Sequence, residues 1–182
     1  MKGKLVIISG PSGCGKTTVC SHLTQEPNIK KSISFTTRAP RAYEKDGVHY
    51  HFISRDAFYK RIDEGRFAEY AEYCGNLYGT SLDHLTKALE NGLIYLLEID
   101  VHGASQIRKK FPEVITIFLI PPDEETLEER LVKRNTNNKA EVDERLEIAK
   151  DEYKYRDNYK HCIVNDKLDD TIKKIRKVLE LG

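Results

Sequence analysis

Four short runs of apolar residues recur along the chain, and each is followed within two residues by a glycine, a proline or an acidic residue. The runs span 5–8, 93–99, 114–120 and 162–164. Their apolar positions are largely continuous rather than alternating, which predicts strands buried on both faces, as in a parallel sheet.

Helical spacing of apolar residues lies between these runs. It predicts helices over 16–23, 104–111, 124–133, 140–155 and 168–181. Because predicted strands and helices alternate, we expect an α/β fold with a parallel sheet flanked by helices.

The stretch 32–91 has a different pattern. Short aromatic-rich strands are predicted around 49–52 and 67–73, with helices over 56–64 and 82–89. We expect one domain over 1–182, with a core formed by 1–31, 92–121 and 159–182. An α+β lobe over 32–91 and a helical lid over 122–158 are predicted as insertions into that core.

Composition narrows the class of protein. The 182 residues include 30 Lys and Arg against 29 Asp and Glu, a net charge of +1, which disfavours nucleic-acid or membrane-surface binding driven by bulk charge.

The spacing of Cys14, Cys20, Cys74 and Cys162 matches no zinc or redox motif, so we expect reduced thiols in the cytoplasm. The apolar run 5–8 is too short for a signal sequence or a membrane span.

A phosphate-binding loop is the strongest local signal. Residues 10–17 read GPSGCGKT and satisfy G-x-x-x-x-G-K-[ST], with a predicted strand before and a predicted helix after. The glycines allow successive backbone N–H groups to point at phosphate oxygens, and the helix adds its positive end. Lys16 is expected to reach the β- and γ-phosphates, and the Thr17 hydroxyl is expected to bind Mg²⁺.

Cys14 and Asp100 extend this site. The field that holds phosphate would favour a thiolate at Cys14, whereas an inert small side chain filling the loop is the alternative. Asp100 follows a predicted strand at its carboxyl end, where ligands bind in open α/β sheets. We expect Asp100 to hold the metal, through water.

A second phosphate site is predicted in the inserted stretch. Arg38 and Arg41 flank a rigid Pro40, and arginine forks suit bidentate phosphate recognition. Tyr50 and Tyr78 offer hydroxyl donors that hold a phosphate without adding charge.

Taken together, these motifs resemble those of guanylate kinases over nearly the whole chain. The matching segments are 10–17, 36–41, 46–52, 67–70, 75–81, 97–101 and 164–166. The resemblance implies the P-loop NTPase fold with a GMP-binding lobe and a lid. It also implies transfer of the γ-phosphoryl group of ATP to GMP, with Mg²⁺ as cofactor, as a step of purine nucleotide metabolism.

The resemblance also implies residue roles. ATP would be bound by Gly10, Pro11, Ser12, Gly13, Cys14, Gly15, Lys16, Thr17 and Thr18, with Asn165 near the adenine. GMP would be bound by Arg38, Arg41, Tyr50 and Tyr78 at the phosphate, and by Ser34, Glu69 and Thr80 at the base, with Asp100 also counted in this site. The catalytic set would be Lys16, Arg38, Arg130, Arg134 and Arg145, the last three from the lid.

Glu69 has the chemistry to read guanine. Guanine offers N1–H and an amino group side by side, a donor pair that one carboxylate accepts, whereas adenine presents an acceptor at N1. A site built on such hydrogen bonds can reject the wrong base by up to about 10⁴-fold.

The chain departs modestly from the family pattern. Tyr70 stands where tryptophan is common, Asn135 stands where glycine usually follows the lid arginine, and Cys14 stands where a small aliphatic residue is more frequent.

Two other functions stay open on sequence grounds. A kinase for AMP, CMP or UMP is one, and Glu69 argues against it. A guanylate-kinase-like module that binds phosphorylated peptides is the other, and the complete phosphate loop argues against it. Small-molecule nucleotides are the expected partners, and dGMP as a second acceptor and a monomeric or homodimeric state are left open.

Overall fold

Five parallel strands form the central sheet of the described part of the chain. A computed structural model describes residues 3–134 and 139–181, and the side chains at 131, 133, 134 and 139–145 fall outside that description. In order across the sheet, the strands are β2 (Ile29–Lys31), β7 (Ile94–Glu98), β1 (Lys4–Ser9), β8 (Ile115–Ile120) and β9 (His161–Val164).

Successive residues of each central strand point to opposite faces of the sheet. Val6 and Ile8 of β1 pack with helices α1 (Lys16–Leu23) and α7 (Leu168–Leu179). Leu5 and Ile7 pack on the other face with α3 (Leu82–Glu90) and α4 (Val101–Lys110). Burial on both faces explains why these strands have continuous apolar runs.

A second sheet lies between β2 and β7 in the chain. It has the order β4-β3-β6-β5, from strands β3 (Phe35–Thr36), β4 (His51–Phe52), β5 (Phe67–Tyr73) and β6 (Asn76–Ser81), and α2 (Arg55–Asp63) packs on it. Its small core contains Phe35, Phe58, Phe67 and Leu77, and the rings of Phe58 and Phe67 stack with centroids 4.5 Å apart.

Two helices, α5 (Glu124–Arg134) and α6 (Lys139–Tyr153), follow β8 and pack together through Leu127, Leu146, Ala149 and Tyr153. A 3-10 turn at Arg156–Asn158 leads into β9. Helix α6 ends two residues before the predicted boundary at 155. No helix in the described ranges is long and apolar enough to cross a membrane.

Three strands were missing from the sequence prediction. β2 has the sequence Ile-Lys-Lys, with one buried residue, so it shows no apolar run. β3 has two residues, and β6 is mostly polar or glycine although four of its residues are buried. Other segments of the same chain bury these strands, so their burial cannot be seen in the local sequence pattern.

The lobe core offers a direct test of packing. Phe58 is fully buried, whereas the adjacent Tyr59 is 49% exposed. Phe58→Ala should lower the free energy of unfolding by about 3–5 kcal/mol, because it leaves a cavity against Phe67. Tyr59→Ala should change it by only about 0.5 kcal/mol. Urea unfolding of the two variants would measure both values, and equal losses would contradict this description of the core.

Candidate active site

The loop between β1 and α1 has a conformation that requires glycine. Gly10, Gly13 and Gly15 have φ angles of 142°, 87° and 93°, in the region that other residues rarely adopt. A Cβ atom at Gly10 would overlap the Leu119 carbonyl of β8, and one at Gly15 would overlap the amide of Asn165. Neighbouring strands therefore hold the loop in this shape.

Lys16 lies across this loop. Its ammonium donates hydrogen bonds to the carbonyl oxygens of Gly10, at 2.5 Å, and Pro11, at 3.0 Å. The charge is thus fixed beside the loop's N–H groups, in the position expected of a phosphate-binding lysine. The structure brings the predicted loop residues 10–18 together at the start of α1.

The thiolate expectation for Cys14 is wrong. Its side chain is fully buried in the core cluster with Val6, Ile8 and Val19. Burial raises the pKa of the thiol, and the nearby Lys16 charge only partly offsets this. The side chain is a small apolar filler, which was the alternative interpretation.

Glu98, to which the sequence interpretation gave no role, contacts Thr17 of the loop. Its Oε1 accepts a hydrogen bond from the Thr17 hydroxyl at 2.6 Å, and its Oε2 pairs with Lys31 at 2.5 Å. Burial acts to raise the pKa of Glu98, but Lys31 and the two hydrogen bonds outweigh it and hold the pKa below its ordinary value.

Asp100 lies two residues after the last residue of β7, at the carboxyl end of that strand. It is the N-cap of α4, and its Oδ1 accepts the Gly103 N–H at 2.7 Å. The signal for Glu98 was present in the sequence, because alternation puts residues 98 and 100 on one face of a strand. However, β7 ends at Glu98, so the alternation does not extend to Asp100.

The two arginines of the second phosphate site are held by Glu44, which sequence reasoning missed. Glu44 Oε1 pairs with Arg38 Nη2 at 2.8 Å, and its Oε2 accepts the backbone N–H of Arg41 at 2.8 Å. Burial acts to raise the pKa of Glu44, and the hydrogen bonds from Arg38 and Arg41 outweigh it. The sequence offered one signal for a contact between Glu44 and the arginine pair, its position three residues after Arg41.

Tyr50 and Tyr78 lie beside these arginines. Their rings meet edge to face with centroids 5.9 Å apart, and the Arg38 guanidinium lies 5.5 Å from the Tyr50 ring centroid. Burial raises the pKa of Tyr50, so its hydroxyl remains a donor at neutral pH. The structure thus brings together four of the predicted phosphate-site residues, although Arg41 keeps an exposed side chain.

Glu69 and Thr80 form a buried pair across β5 and β6. The Thr80 hydroxyl donates to Glu69 Oε1 at 2.6 Å, and both residues are nearly inaccessible to solvent. Burial raises the pKa of Glu69 to about 7, and the Thr80 hydrogen bond offsets part of this. Glu69 Oε2 lies against Gly103, whose missing side chain leaves room for it.

The other predicted residues occupy more peripheral positions. Ser34 is half-buried just before β3, and its carbonyl accepts the His51 N–H. The Asn165 amide, expected near the adenine, donates to the Cys14 carbonyl at 2.8 Å and so supports the loop. Arg130 reaches the Asn165 carbonyl at 3.4 Å. The side chains of Arg134 and Arg145, and Asn135 altogether, lie outside the described residues.

A further buried carboxylate, Glu152 of α6, was not predicted. It accepts a hydrogen bond from the Ser12 backbone and lies near Lys16 and Asp100. Burial raises its pKa to about 7. Among the described residues its Oε2 atom has no hydrogen-bond partner. A residue of the lid helices thereby contacts the phosphate loop.

Comparisons with known proteins show the family of this chain. The guanylate kinase family model matches residues 2–181. The chain belongs to the guanylate kinase family.

Curated guanylate kinases share much of the sequence. One from Listeria innocua is 44% identical over 181 residues, covering 98% of this chain and 88% of the relative. One from Prochlorococcus marinus is 43% identical over 178 residues, covering 97% of each.

Solved structures give the same result. The guanylate kinase from Anaplasma phagocytophilum superposes with a TM-score of 0.83 at 33% identity, covering 98% of this chain and 85% of that one. An uncharacterized protein from Eubacterium ventriosum, at 16% identity and a TM-score of 0.53, shares the fold alone. These findings confirm the family and the P-loop α/β fold predicted from the sequence. Guanylate kinases are enzymes that phosphorylate GMP with ATP to give GDP.

The buried Glu69 predicts a pH effect on the stability of this guanylate kinase. The folded-state pKa of about 7 lies above the ordinary 4.5, so the folded protein binds a proton more tightly than the unfolded chain. The resulting stabilisation is complete below about pH 4.5 and is lost as the pH rises through about 7. It amounts to roughly 3 kcal/mol at most.

Glu69→Gln removes this titration and leaves that of Glu152 in place. Urea unfolding at pH 5 and pH 8 should therefore show a larger loss of stability with pH for the original protein than for the variant. An equal loss in the two proteins would contradict the raised pKa of Glu69.

Proposed function

We propose that the two clusters described above are the donor and acceptor sites of one phosphoryl transfer, from ATP to GMP. The observation that carries this proposal is the buried Glu69–Thr80 pair, which lies in the same chain as a complete phosphate loop. The loop alone supports nucleotide binding in general, whereas a carboxylate in a buried site supports guanine as the acceptor base.

The donor side is the phosphate loop. The backbone N–H groups of residues 12–18 would surround the phosphates of ATP, and Lys16 would add a positive charge beside them. Asn165 supports the loop through the Cys14 carbonyl, and the contact that we propose between Asn165 and the adenine is additional to this role.

The acceptor phosphate would lie between Arg38, Arg41, Tyr50 and Tyr78. Glu44 holds the Arg38 fork in a fixed orientation and leaves the remaining donors of that guanidinium for phosphate. The tyrosines add hydroxyl donors without adding charge, which suits a group that must then accept a second phosphoryl unit.

The guanine base would be read by Glu69, with Thr80, Ser34 and Asp100 around it. Glu69 must be ionised to accept two hydrogen bonds from guanine. Because its pKa is about 7, GMP binding near neutral pH should release a fraction of a proton.

The reaction needs no strong general base. The GMP phosphate has a second pKa near ~6, so it is mostly a dianion at neutral pH. The difficulty is the approach of two anions in line, and we assign Lys16 and the lid residues Arg130, Arg134 and Arg145 to this charge. Arg38 and Arg41 orient the attacking phosphate oxygen.

The residues present fit a magnesium ion that arrives with ATP. In the described part of the chain no cluster of three or more acidic, histidine or cysteine side chains forms a metal site of its own. Magnesium binds through one or two protein oxygens together with substrate phosphates and water, and the Thr17 hydroxyl is such an oxygen. When bound, the ion neutralises charge between the phosphates, and Asp100 is proposed to act on its water shell.

The division of labour within the chain follows from these roles. We propose a core of 1–31, 92–121 and 159–182, a GMP-binding lobe of 32–91 and a lid of 122–158. Closure of the lobe and lid would exclude water and so prevent ATP hydrolysis.

Free ATP and GMP are the proposed partners, and the cytoplasm, where both nucleotides are available, is the proposed location.

A coupled ADP-release assay tests the proposed function. With ATP and Mg²⁺ present, GMP, AMP, CMP and UMP are offered in turn. We expect turnover with GMP, lost in Lys16→Ala, and a fall of at least about 100-fold in kcat/KM for GMP in Glu69→Ala, because the buried base loses its partner. Glu72→Ala, an exposed residue on the same strand, serves as the matched control.

Each other outcome has a clear meaning. Preference for another nucleoside monophosphate would overturn the assignment of guanine to Glu69. Absence of turnover with every acceptor, combined with retained binding of GMP or a phosphopeptide, would show that the site recognises phosphate without performing chemistry.

A further inference from the structure

Lys31 is a charged residue that the mechanism above leaves unused. It is the last residue of β2, the edge strand of the central sheet, and its side chain reaches the carboxyl end of β7. Its ammonium lies 2.5 Å from Glu98 Oε2, and the two side chains are 34% and 16% exposed. A half-buried pair of this kind is less screened by solvent than a surface ion pair.

Glu98 uses its two oxygens for different partners. Oε2 faces Lys31, and Oε1 accepts the only hydrogen of the Thr17 hydroxyl, at 2.6 Å. A hydroxyl that donates its hydrogen in a fixed direction has its lone pairs fixed as well. The orientation of the Glu98 carboxylate therefore decides where the Thr17 oxygen can accept a cation.

The surroundings of Lys31 leave Glu98 as its main partner. The other groups close enough to influence its charge are the buried thiol of Cys20 in α1 and the hydroxyl of Tyr50. Lys16 lies within electrostatic range of Glu98 but is bonded to the loop carbonyls. Without Lys31, Glu98 would keep the Thr17 hydroxyl and would be free to turn toward Lys16.

We propose that Lys31 is a positioning residue that fixes Glu98, and through it the Thr17 hydroxyl, for the magnesium ion of Mg·ATP. This inference rests on the proposed function for the identity of the donor nucleotide. Partners one step removed from a metal ligand typically change metal affinity by about 10- to 100-fold when they are lost. Lys31 acts one step further out, so we expect an effect of about 10-fold.

Nucleotide binding provides the test, since it does not depend on turnover. The affinity for ATP is measured by competition with a fluorescent ADP analogue, first in EDTA and then across a Mg²⁺ titration. In Lys31→Met, the Mg²⁺ concentration needed for half of the affinity gain should rise about 10-fold. The affinity for ATP in EDTA and the affinity for GMP should stay unchanged.

Three further variants make the result specific. Lys31→Arg retains a cation for Glu98 and should recover most of the magnesium response. Glu98→Gln removes the charge that Lys31 pairs with and should resemble Lys31→Met. Lys30→Met, at an exposed position on the same strand, should behave like the original protein. If Lys31→Met fails to fold, the Glu98→Gln and Lys31→Arg pair gives the same comparison.

Several outcomes would overturn the proposal. One is an unchanged magnesium response in Lys31→Met, and another is loss of GMP affinity instead, which would make Lys31 an acceptor-site residue. If Mg²⁺ does not change the affinity of the original protein for ATP, both the role of Lys31 and the proposal of Mg·ATP as the donor would be overturned. A normal magnesium response without GMP turnover would overturn only the proposed reaction.

Discussion

The structure depends on one backbone constraint, the left-handed turn of the phosphate loop between β1 and α1. Gly10 and Gly15 adopt positive φ angles there, and each lies so close to a neighbouring element that a side chain would not fit. The Leu119 carbonyl of β8 closes one side, and Asn165, just after β9, bonds to the Cys14 carbonyl on the other. The parallel sheet thus fixes the loop, and Lys16 and Thr17 are placed relative to it.

Four carboxylates of the two candidate sites have pKa values shifted in opposite directions. Glu44 and Glu98 have cationic partners, so their pKa values lie below the ordinary range, and they orient Arg38, Lys31 and the Thr17 hydroxyl. Glu69 and Glu152 are buried, and burial raises the pKa of each to about 7. Glu44 and Glu98 keep charge in place for phosphates. Glu69 and Glu152 hold carboxylate oxygens away from water, the first beside Thr80 in the lobe sheet and the second beside Ser12 of the phosphate loop.

Sequence reasoning located the site more completely than it described its contacts. The loop motif and the arginine pair were predictable because each combines a residue type with a spacing that its chemistry requires, whereas Glu69 was assigned through the family resemblance. Glu44, Glu98 and Glu152 were missed because spacing or strand alternation singles out an acidic residue only weakly in a chain with 29 of them. The contacts of Glu98 and Glu152 are with residues distant in the sequence, as in the hydrogen bond from Thr17 to Glu98. The sequence left two interpretations of Cys14 open because its burial comes from the core packed against the loop, which no local pattern shows.

The hydrogen bonds of α4 indicate which wall of the acceptor site is fixed to the core. Gln106 bonds to both backbone groups of Tyr70, and the Lys110 ammonium donates to the Ala68 carbonyl at 2.7 Å. Glu69 lies between these two points, so the carboxylate that we propose to read the base is attached to helix α4 of the core. Arg38, Glu44 and Tyr50 belong instead to the β3–β4 side of the lobe sheet, which is farther along the strand order from β5. Lobe closure would then bring the phosphate-binding wall toward a base-binding wall that already has its place.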